Sequence, residues 1–246
     1  MPISIDLNSD LGEQENDFLD KEIMPFISSC NIACGGHAGD ENTVQRTIEL
    51  AAKHQVVIGA HPSFPDKENF GREVIKMESE QLKDSLHHQI TMVQKVAKQS
   101  GLNLHHVKPH GALYNVAAID AGTSRVIYEL VRDIDSSLKV YGLARSTSED
   151  VANDLRISFV AEAFADRRYE DDYTLRSRKK EGAVLKENEV IEQVENLVFD
   201  QKVYATKWIH INAQTICLHS DTPGSVTLAK RIHEYLASKG AVITSV

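Results

Sequence analysis

Apolar residues recur along the chain at two spacings, one typical of β-strands and one typical of amphipathic helices. Short β-prone runs, such as residues 27–33, end at Gly or polar residues. In residues 41–54, by contrast, Val44 and Ile48 lie on one helical face. The strand candidates are residues 3–7, 28–33, 56–60, 104–108, 139–143, 157–161, 208–211, 215–218 and 241–244. The helix candidates are residues 41–54, 79–99, 124–134, 148–155, 187–199 and a segment capped by Thr222 with Pro223 at its first position.

Seven or eight strands that alternate with helices predict a parallel sheet, most simply a closed β/α barrel. A chain of 246 residues is long enough for one such barrel, so we predict a single domain over residues 1–246. In barrels of this kind the functional site lies at the carboxyl ends of the strands. Those ends are where functional residues are expected.

Four predicted strand ends present a histidine beside Gly, Pro or Ser, residues that allow the backbone to turn tightly. These histidines are His37, His61, His110 and His219. The richest segment is residues 31–40 (NIACGGHAGD), in which an apolar run stops at two glycines and leads into a helix. Four such strand ends in one chain predict a polar, titratable site at one rim of the barrel.

Further polar residues lie at or near these strand ends. They are Asn8, Asp10, Asp40, Arg72 and Glu162. Asn8 and Asp10 also suit the capping of a turn, and Asp40 stands where a helix cap belongs, a role worth about 1 kcal/mol. Arg72 closes residues 63–72, a polar loop rich in Pro that we expect to lie over the site. A capping role does not prevent any of these side chains from facing the site.

The composition of the chain limits the kinds of molecule that it is expected to bind. The formal net charge of −9 argues against nucleic acid or an anionic membrane, because both bind basic surfaces. No apolar stretch approaches the roughly 20 residues of a membrane span, and the N-terminus has no signal-peptide pattern. The three cysteines are not spaced as a disulfide framework, which fits reduced thiols. We therefore predict a cytoplasmic enzyme, and the sequence leaves open whether it forms a homo-oligomer.

One candidate chemistry depends on a metal. Asp10, His61 and His110 are suitable ligands for a divalent ion such as Mg, Mn or Zn. Such an ion would polarise a carbonyl or acidify a bound water and so promote hydrolysis of an amide. The C-x3-C-x2-H spacing of residues 30–37 looks like half of a zinc knuckle, but no second half lies nearby. Small buried thiols explain those cysteines better.

Acid–base chemistry is the other candidate. His37, Lys108 and Asp221 suit the roles of acid, base or oxyanion contact at the same rim. The sequence contains no GxxxxGK[ST] or GxGxxG motif for a nucleotide phosphate and no GxSxG motif for a serine nucleophile. Phosphate recognition by this chain alone is therefore not supported.

Six motifs together resemble the LamB/YcsF family over essentially the whole chain and in the same order. They are NSDLGE (8–13), NIACGGHAGD (31–40), IGAHPSFPD (58–66) with FGR (70–72), HVKPHGALYN (106–115), EAFADRRY (162–169) and CLHSDTP (217–223). The resemblance implies a seven-stranded, distorted TIM-like β/α barrel of the glycoside hydrolase/deacetylase type. It also implies ATP-dependent opening of 5-oxo-L-proline to L-glutamate together with two partner 5-oxoprolinase subunits. The absent phosphate loop agrees with ATP being held by those partners.

The implied reaction gives the site residues working roles. A five-membered lactam is stabilised by resonance, and transfer of a phosphoryl group to its carbonyl oxygen would make the carbon susceptible to water. Asp10 or His37 would act as the base, and Lys108 and Arg72 would contact a carboxylate or phosphate. The predicted catalytic residues are Asp10, His37, Lys108 and Asp221. The predicted substrate-binding residues are Asn8, Asp40, Arg72 and Glu162, and the predicted metal ligands are Asp10, His61 and His110.

Three positions depart from the patterns that the resemblance implies. Ser220 replaces the Gly of the usual HGD run, and Tyr173 replaces the Gly of a Y-x-x-D-G-x-L stretch. Related deacetylases bind a metal through an Asp and two His, and Leu11 stands where a second adjacent Asp would lie. Two alternative functions follow: a stand-alone metal-dependent carbohydrate deacetylase, and a non-catalytic scaffold subunit.

Overall fold

Parallel strands closed into a barrel form the centre of the protein in the computed structural model, which describes residues 2–246. The strands are β1 (Ser4–Leu11), β2 (Ser29–Ala33), β3 (Val57–His61), β4 (His106–Val107), β5 (Lys139–Leu143), β6 (Phe159–Phe164), β7 (Lys202–Tyr204), β8 (Trp208–His210), β9 (Thr215–Cys217) and β10 (Val242–Ile243). Strands β1 to β6 pair in chain order, and β9 closes the ring by pairing with both β6 and β1. The predicted seven-stranded barrel is confirmed.

Helices surround the barrel and bury their apolar faces against it. They are α1 (Phe18–Ile23), α2 (Glu41–His54), α3 (Ser79–Gln99), α4 (Gly111–Ile119), α5 (Ala121–Ile134), α6 (Thr147–Leu155), α7 (Glu187–Phe199) and α8 (Ser225–Ser238). The predicted bounds of α2, α3 and α7 agree with the structure. Helix α8 begins later than predicted, because Gly224 with φ +75° precedes it as its cap. None of the helices within residues 2–246 has the length and apolar character needed to cross a membrane.

Two predicted strands lie outside the barrel wall. The segment predicted at residues 208–211 forms β8, which pairs antiparallel with β7 in a separate two-stranded sheet. Its burial pattern is exposed, buried, exposed, as expected for a hairpin that packs by one face only. The last predicted strand shortens to β10, which pairs with the start of β1 without taking part in the closed ring.

The interior of the barrel is polar along β1, where Asp6, Asn8 and Asp10 are buried on the same side of the strand. The Asp6 carboxylate accepts hydrogen bonds from hydroxyl groups on several neighbouring strands. Its donors are Ser28 at 2.6 Å, Ser29 at 2.7 Å, Thr215 at 2.6 Å and Tyr141 at 3.1 Å. Because protein groups satisfy both oxygens of its carboxylate, Asp6 has a structural role and holds strands of the barrel together. Asp10 lies further along β1, at the carboxyl end, where it can contact a ligand.

Candidate active site at the carboxyl ends of the strands

A cavity of about 800 Å³ opens at the carboxyl ends of the barrel strands. The predicted site residues that line it are Asp10, His61, Arg72, Lys108, His110 and Asp221, together with His219. Asn8 and Glu162 lie behind this wall and contact Lys108. Asp40 is exposed and caps α2 by accepting a hydrogen bond from the Thr43 amide at 2.8 Å. The structure therefore brings together all the predicted residues except Asp40 around one centre.

The acceptor nitrogens of the His61 and His110 rings face each other. His61 Nδ1 lies 2.7 Å from the Lys108 carbonyl, and His110 Nε2 lies 3.0 Å from the Phe70 carbonyl. Because a carbonyl only accepts, each of these nitrogens is the N–H donor, and the other nitrogen of a neutral ring carries a lone pair. His61 Nε2 and His110 Nδ1 are 3.0 Å apart. Two lone pairs at this distance repel unless a proton or a cation lies between them.

His37 and Glu13 complete this cluster. The His37 ring stacks on His110 with centroids 3.6 Å apart, and His37 Nε2 lies 3.1 Å from Glu13 Oε1. Glu13 belongs to the NSDLGE motif, but the sequence assigns it no role at the site. Burial, together with the negative charge of Asp10, raises the pKa of Glu13 to about 8. Glu13 follows Gly12, whose φ of +70° lets the chain turn back over the end of β1.

The cluster fits a divalent metal ion. One ligand atom from each of Glu13, His37, His61 and His110 lies within 4.8 Å of all the others. Burial lowers the pKa of both His37 and His110, so their rings stay neutral and able to coordinate. The carbonyl partners of His61 and His110 are the outer hydrogen bonds that fix metal-binding histidines in other proteins. Two of the three predicted metal ligands belong to this set, and Asp10 Oδ2 lies 3.3 Å from His61 Nε2.

Lys108 is a buried cation that neutralises the carboxylates of the site. Its Nζ lies 3.0 Å from Asp10 Oδ1, 2.9 Å from Glu162 Oε1 and 3.3 Å from Asn8 Oδ1. It is also 3.1 Å from Cys217 Sγ. Burial acts to lower the pKa of Lys108, but Asp10, Cys217 and Glu162 raise it well above its usual value. The ammonium group therefore stays charged, and its three hydrogens are taken up by protein groups.

Asn8 and Asn31 fix the carboxylates around Lys108. Asn31 donates through Nδ2 to Asn8 Oδ1 and to Asp10 Oδ1, both at 2.8 Å. Asn8 in turn donates to Glu162 Oε1 at 2.9 Å. Burial acts to raise the pKa of Asp10, but the positive charge of His61, when its ring is protonated, and that of Lys108 hold it well below its usual value. The Asp10 carboxylate is thus ionised, oriented and in contact with the cavity.

Arg72 and Asp221 form an ion pair at the mouth of the cavity. Arg178 lies on the other side of Asp221, with its guanidinium 3.5 Å from Oδ1. The Arg72 guanidinium also sits 5.0 Å from the centre of the Phe70 ring. Asp221 is thus held between two arginines, which suits it to position Arg72 and Arg178 better than to transfer a proton.

His219 lies beside the cavity and contacts Asp166 and Phe164. Its Nδ1 lies 3.0 Å from Asp166 Oδ1, and its ring stacks on Phe164 with centroids 5.2 Å apart. Burial acts to raise the pKa of Asp166, but His219 keeps it below its usual value. The carboxylate orients the ring so that the other nitrogen is directed away from Asp166. The sequence predicts His219 at the rim, and the structure adds Asp166 as the residue that orients it.

The loop of residues 63–72 lies over the histidine cluster, as expected from its composition. The Phe70 ring packs edge-on against His37 and His110, with centroids 5.2 Å and 5.4 Å away. Gly71 adopts φ +64°, and a Cβ there would lie 2.9 Å from the Cβ of His37. A side chain at position 71 would therefore push the loop away from the cluster.

The protein is thus a β/α barrel whose buried histidines and carboxylates meet at the carboxyl ends of the strands, where enzymes of this fold class carry their sites. The sequence profile of the LamB/YcsF family matches residues 5–246, and the chain belongs to this family. The A subunit of 5-oxoprolinase from Tolumonas auensis is 39% identical over 245 residues, which cover 97% of this chain and 98% of that protein. The corresponding 5-oxoprolinase protein of Bacillus cereus strain AH187 is 42% identical, with 98% of each chain covered.

One solved structure agrees with this assignment, and a second shares the fold. The lactam utilization protein from Thermus thermophilus superposes with a TM-score of 0.92 at 34% identity, covering 99% of this chain and 100% of that chain. A protein of Enterococcus faecalis V583 superposes with a TM-score of 0.61 at 13% identity, covering 100% of this chain and 98% of that one. The second likeness shows the barrel fold alone. The family predicted from the motifs is confirmed.

Proposed function

We propose that this chain is a 5-oxoprolinase subunit that opens the lactam of 5-oxo-L-proline to L-glutamate, with ATP and two partner subunits. The observation that carries the proposal is the full-length match to proteins named as the A subunit of 5-oxoprolinase. A solved relative named for lactam utilization supports the same class of substrate. The sequence has no phosphate loop, which supports ATP being held by the partners. The free cysteines Cys30, Cys34 and Cys217 support a reducing, cytoplasmic setting.

The geometry favours Asp10 over His37 as the base. Asp10 lines the cavity, and its carboxylate stays ionised beside His61 and Lys108. His37 lies beneath His110, with its Nε2 directed at Glu13. In the proposed reaction, phosphoryl transfer to the lactam oxygen by the partners makes the ring carbon electrophilic. Asp10 then takes a proton from the attacking water, and the ring nitrogen gains a proton as its bond to that carbon breaks. The open chain is then an acyl phosphate on the side-chain carboxyl of glutamate, and a second water hydrolyses it to L-glutamate and inorganic phosphate.

Glu13, His37, His61 and His110 would hold a divalent metal ion in the same site. A bound ion supplies Lewis acidity and lowers the pKa of coordinated water. Arg72 and Arg178, on either side of Asp221, would bind the anionic group of the substrate or its phosphate at the mouth of the cavity. The residues of this chain orient Asp10 through Asn31 and Lys108, and Phe70 shields the histidine cluster from water.

Glutamate release tests the proposal directly. This chain would be incubated with 5-oxo-L-proline, with and without the candidate partner subunits and with and without ATP. We expect glutamate only when all subunits and ATP are present. Glutamate formed without ATP, or no glutamate with partners of proven competence, would contradict the proposal.

Removal of the metal gives a prediction with a readout besides activity. Dialysis against a chelator is expected to release a divalent ion and to lower the melting temperature, because an ion bound only by the folded chain stabilises it. Restoring the ion should restore both the melting temperature and glutamate release. Metal analysis and calorimetry provide the measurement. A chain that binds no divalent ion after refilling would show that the cluster serves another purpose.

The histidine–carboxylate cluster also favours a second candidate, a stand-alone metal-dependent carbohydrate deacetylase. This candidate predicts release of acetate from an N-acetylated sugar without ATP and its loss on chelation. A third alternative, a scaffold subunit without catalytic residues, predicts full activity of the complex when rim histidines are replaced. The glutamate and acetate assays together separate these cases.

A further inference from the structure

Two buried polar atoms in the part of the site around Lys108 have no hydrogen-bond partner within residues 2–246. They are the hydroxyl oxygen of Tyr114 and Oε2 of Glu162. Tyr114 is 6% exposed and lines the cavity, whereas Glu162 is fully buried behind it. Leaving a buried hydroxyl unpaired costs about 1–3 kcal/mol. Such a group in a cavity wall points to a ligand that completes its hydrogen bonding.

The fold places Tyr114 rigidly. Helix α4 begins directly after His110, which is its extended cap, and Tyr114 lies in the first turns of that helix; both residues line the cavity. The Tyr114 ring packs edge-on against Phe164 with centroids 5.6 Å apart at 90°. Burial raises the pKa of Tyr114 well above its usual value, and the Glu162 carboxylate adds to this through its negative charge and its proximity to the hydroxyl. The hydroxyl therefore keeps its proton and acts as a hydrogen-bond donor.

Other donors near this wall are already engaged. The Lys108 ammonium group donates hydrogen bonds to Asp10, Asn8 and Cys217 at 3.0–3.3 Å and forms an ion pair with Glu162 at 2.9 Å. Arg72 lies at the mouth, where its side chain is 41% exposed and paired with Asp221. The Tyr114 hydroxyl, by contrast, makes no well-formed hydrogen bond within residues 2–246, and the Glu162 carboxylate is an acceptor beside it.

We infer that Tyr114 is a substrate-binding residue whose hydroxyl donates a hydrogen bond to the oxygen on the lactam carbonyl carbon, bare or phosphorylated. This inference rests on the proposed function. In the proposed reaction this oxygen carries the phosphoryl group, and attack of water on the carbon ends the delocalisation of the oxygen lone pair towards that carbon, so the hydrogen bond strengthens as the reaction proceeds. Tyr114 thereby contributes to the recognition of a cyclic amide and to the stabilisation of the adduct that water forms with it.

Tyr114→Phe in the full complex tests the inference, because it removes only the hydroxyl. With this chain limiting, glutamate release is expected to fall about 100-fold, as for the loss of one oxyanion donor. The melting temperature is expected to change little, since the hydroxyl makes no well-formed hydrogen bond within the described residues. Activity within about twofold of wild type would overturn the inference.

Tyr169→Phe is the matched control. The Tyr169 hydroxyl is also buried, but it accepts a hydrogen bond from the Phe164 amide at 2.9 Å. Its removal leaves that amide unpaired, so the melting temperature should fall while turnover by the folded enzyme is retained. Opposite effects of the two substitutions distinguish a substrate contact from a structural hydroxyl.

If Tyr114→Phe lowers the fraction of folded protein, an analogue of 5-oxoproline with sulfur in place of the lactam oxygen still tests the inference. Wild type should prefer 5-oxoproline over its thiolactam, because sulfur is a weak acceptor, and the variant should lose about tenfold of that preference. Both substrates are tested on the same preparation, so the ratio of their rates does not depend on the fraction of protein that is folded. An unchanged ratio would overturn the inference. A wild-type complex that forms no glutamate would instead overturn the proposed function, and the Tyr114 inference with it.

Discussion

His61→Ala and His110→Ala are each expected to abolish metal binding and to lower glutamate release by the complex by at least about 100-fold. The physical reason is the pair of lone-pair nitrogens 3.0 Å apart, His61 Nε2 and His110 Nδ1, which a divalent cation would hold together. Loss of an outer hydrogen-bond partner alone costs about 10–100-fold in affinity, so loss of a ligand should cost more. Metal content and initial rates would be measured on the same preparations.

Two exposed histidines provide the control for these substitutions. His87 and His88 lie on α3, away from the strand ends, so replacing either with Ala should change neither metal content nor rate. Circular dichroism would establish that the His61 and His110 variants keep the fold. Full activity in both variants would mean that the cluster is not the site of the reaction. Loss of the metal with retained activity would make the ion structural.

Three helices could be predicted with exact bounds, whereas α1 and α4 have no counterpart among the predicted helices. The bounds of α2, α3 and α7 follow from apolar stripes at helical spacing, a signal that is local in sequence. The sequence predicts that β1 stops at residue 7, but it continues to Leu11, because Asn8 and Asp10 are polar residues buried inside the barrel. Polar residues at a strand end resemble a loop in sequence. Only the folded structure shows that residues of the neighbouring strands satisfy their hydrogen bonds inside the barrel.

The candidate site was predictable where a residue type stands out at a strand end, as for His61 and His110. Glu13 was missed, because the turn at Gly12 that brings it back over β1 has no local signal beyond one glycine. The sequence places Asp40 near the site, but its side chain caps α2, the structural role already evident in its position. Lys108 is predicted to contact substrate, and the structure adds that its ammonium group holds Asp10 in place.

The Tyr173 and Ser220 departures from the family pattern have different structural consequences. Tyr173 has φ +71°, the left-handed conformation that glycine adopts most easily, so the tyrosine occupies a position shaped for glycine. The Arg145 guanidinium lies 5.0 Å from its ring centre, a contact that glycine would lack. Ser220 is buried, and its carbonyl accepts a hydrogen bond from the Ser225 hydroxyl at 2.7 Å. A serine side chain is thus accommodated at the turn between His219 and Asp221.

Lys108→Met is expected to destabilise the fold by about 3–5 kcal/mol, because it leaves Asp10 and Glu162 buried without their cation. The penalty should depend on pH. In the wild-type chain the pKa of Asp10 is depressed, so its stabilising contribution is present near neutrality and is lost in acid. Without Lys108 the buried carboxylate favours its protonated form, so the deficit should be largest near neutral pH and should shrink as the pH falls towards about 4. Denaturant unfolding at several pH values measures both effects.

A second substitution separates stability from activity. Lys108→Met with Glu162→Gln removes one of the two uncompensated charges, so it should recover part of the lost stability near neutral pH. Glutamate release should not recover, because Asp10 still lacks the cation that orients it and keeps it ionised. Lys95→Met is the control, since Lys95 forms only an exposed pair with Glu41, worth about 0–1 kcal/mol. If Lys108→Met unfolds no more easily than Lys95→Met, the ion-paired cluster does not stabilise the barrel. If the double variant regains activity, Lys108 serves the fold and not the reaction.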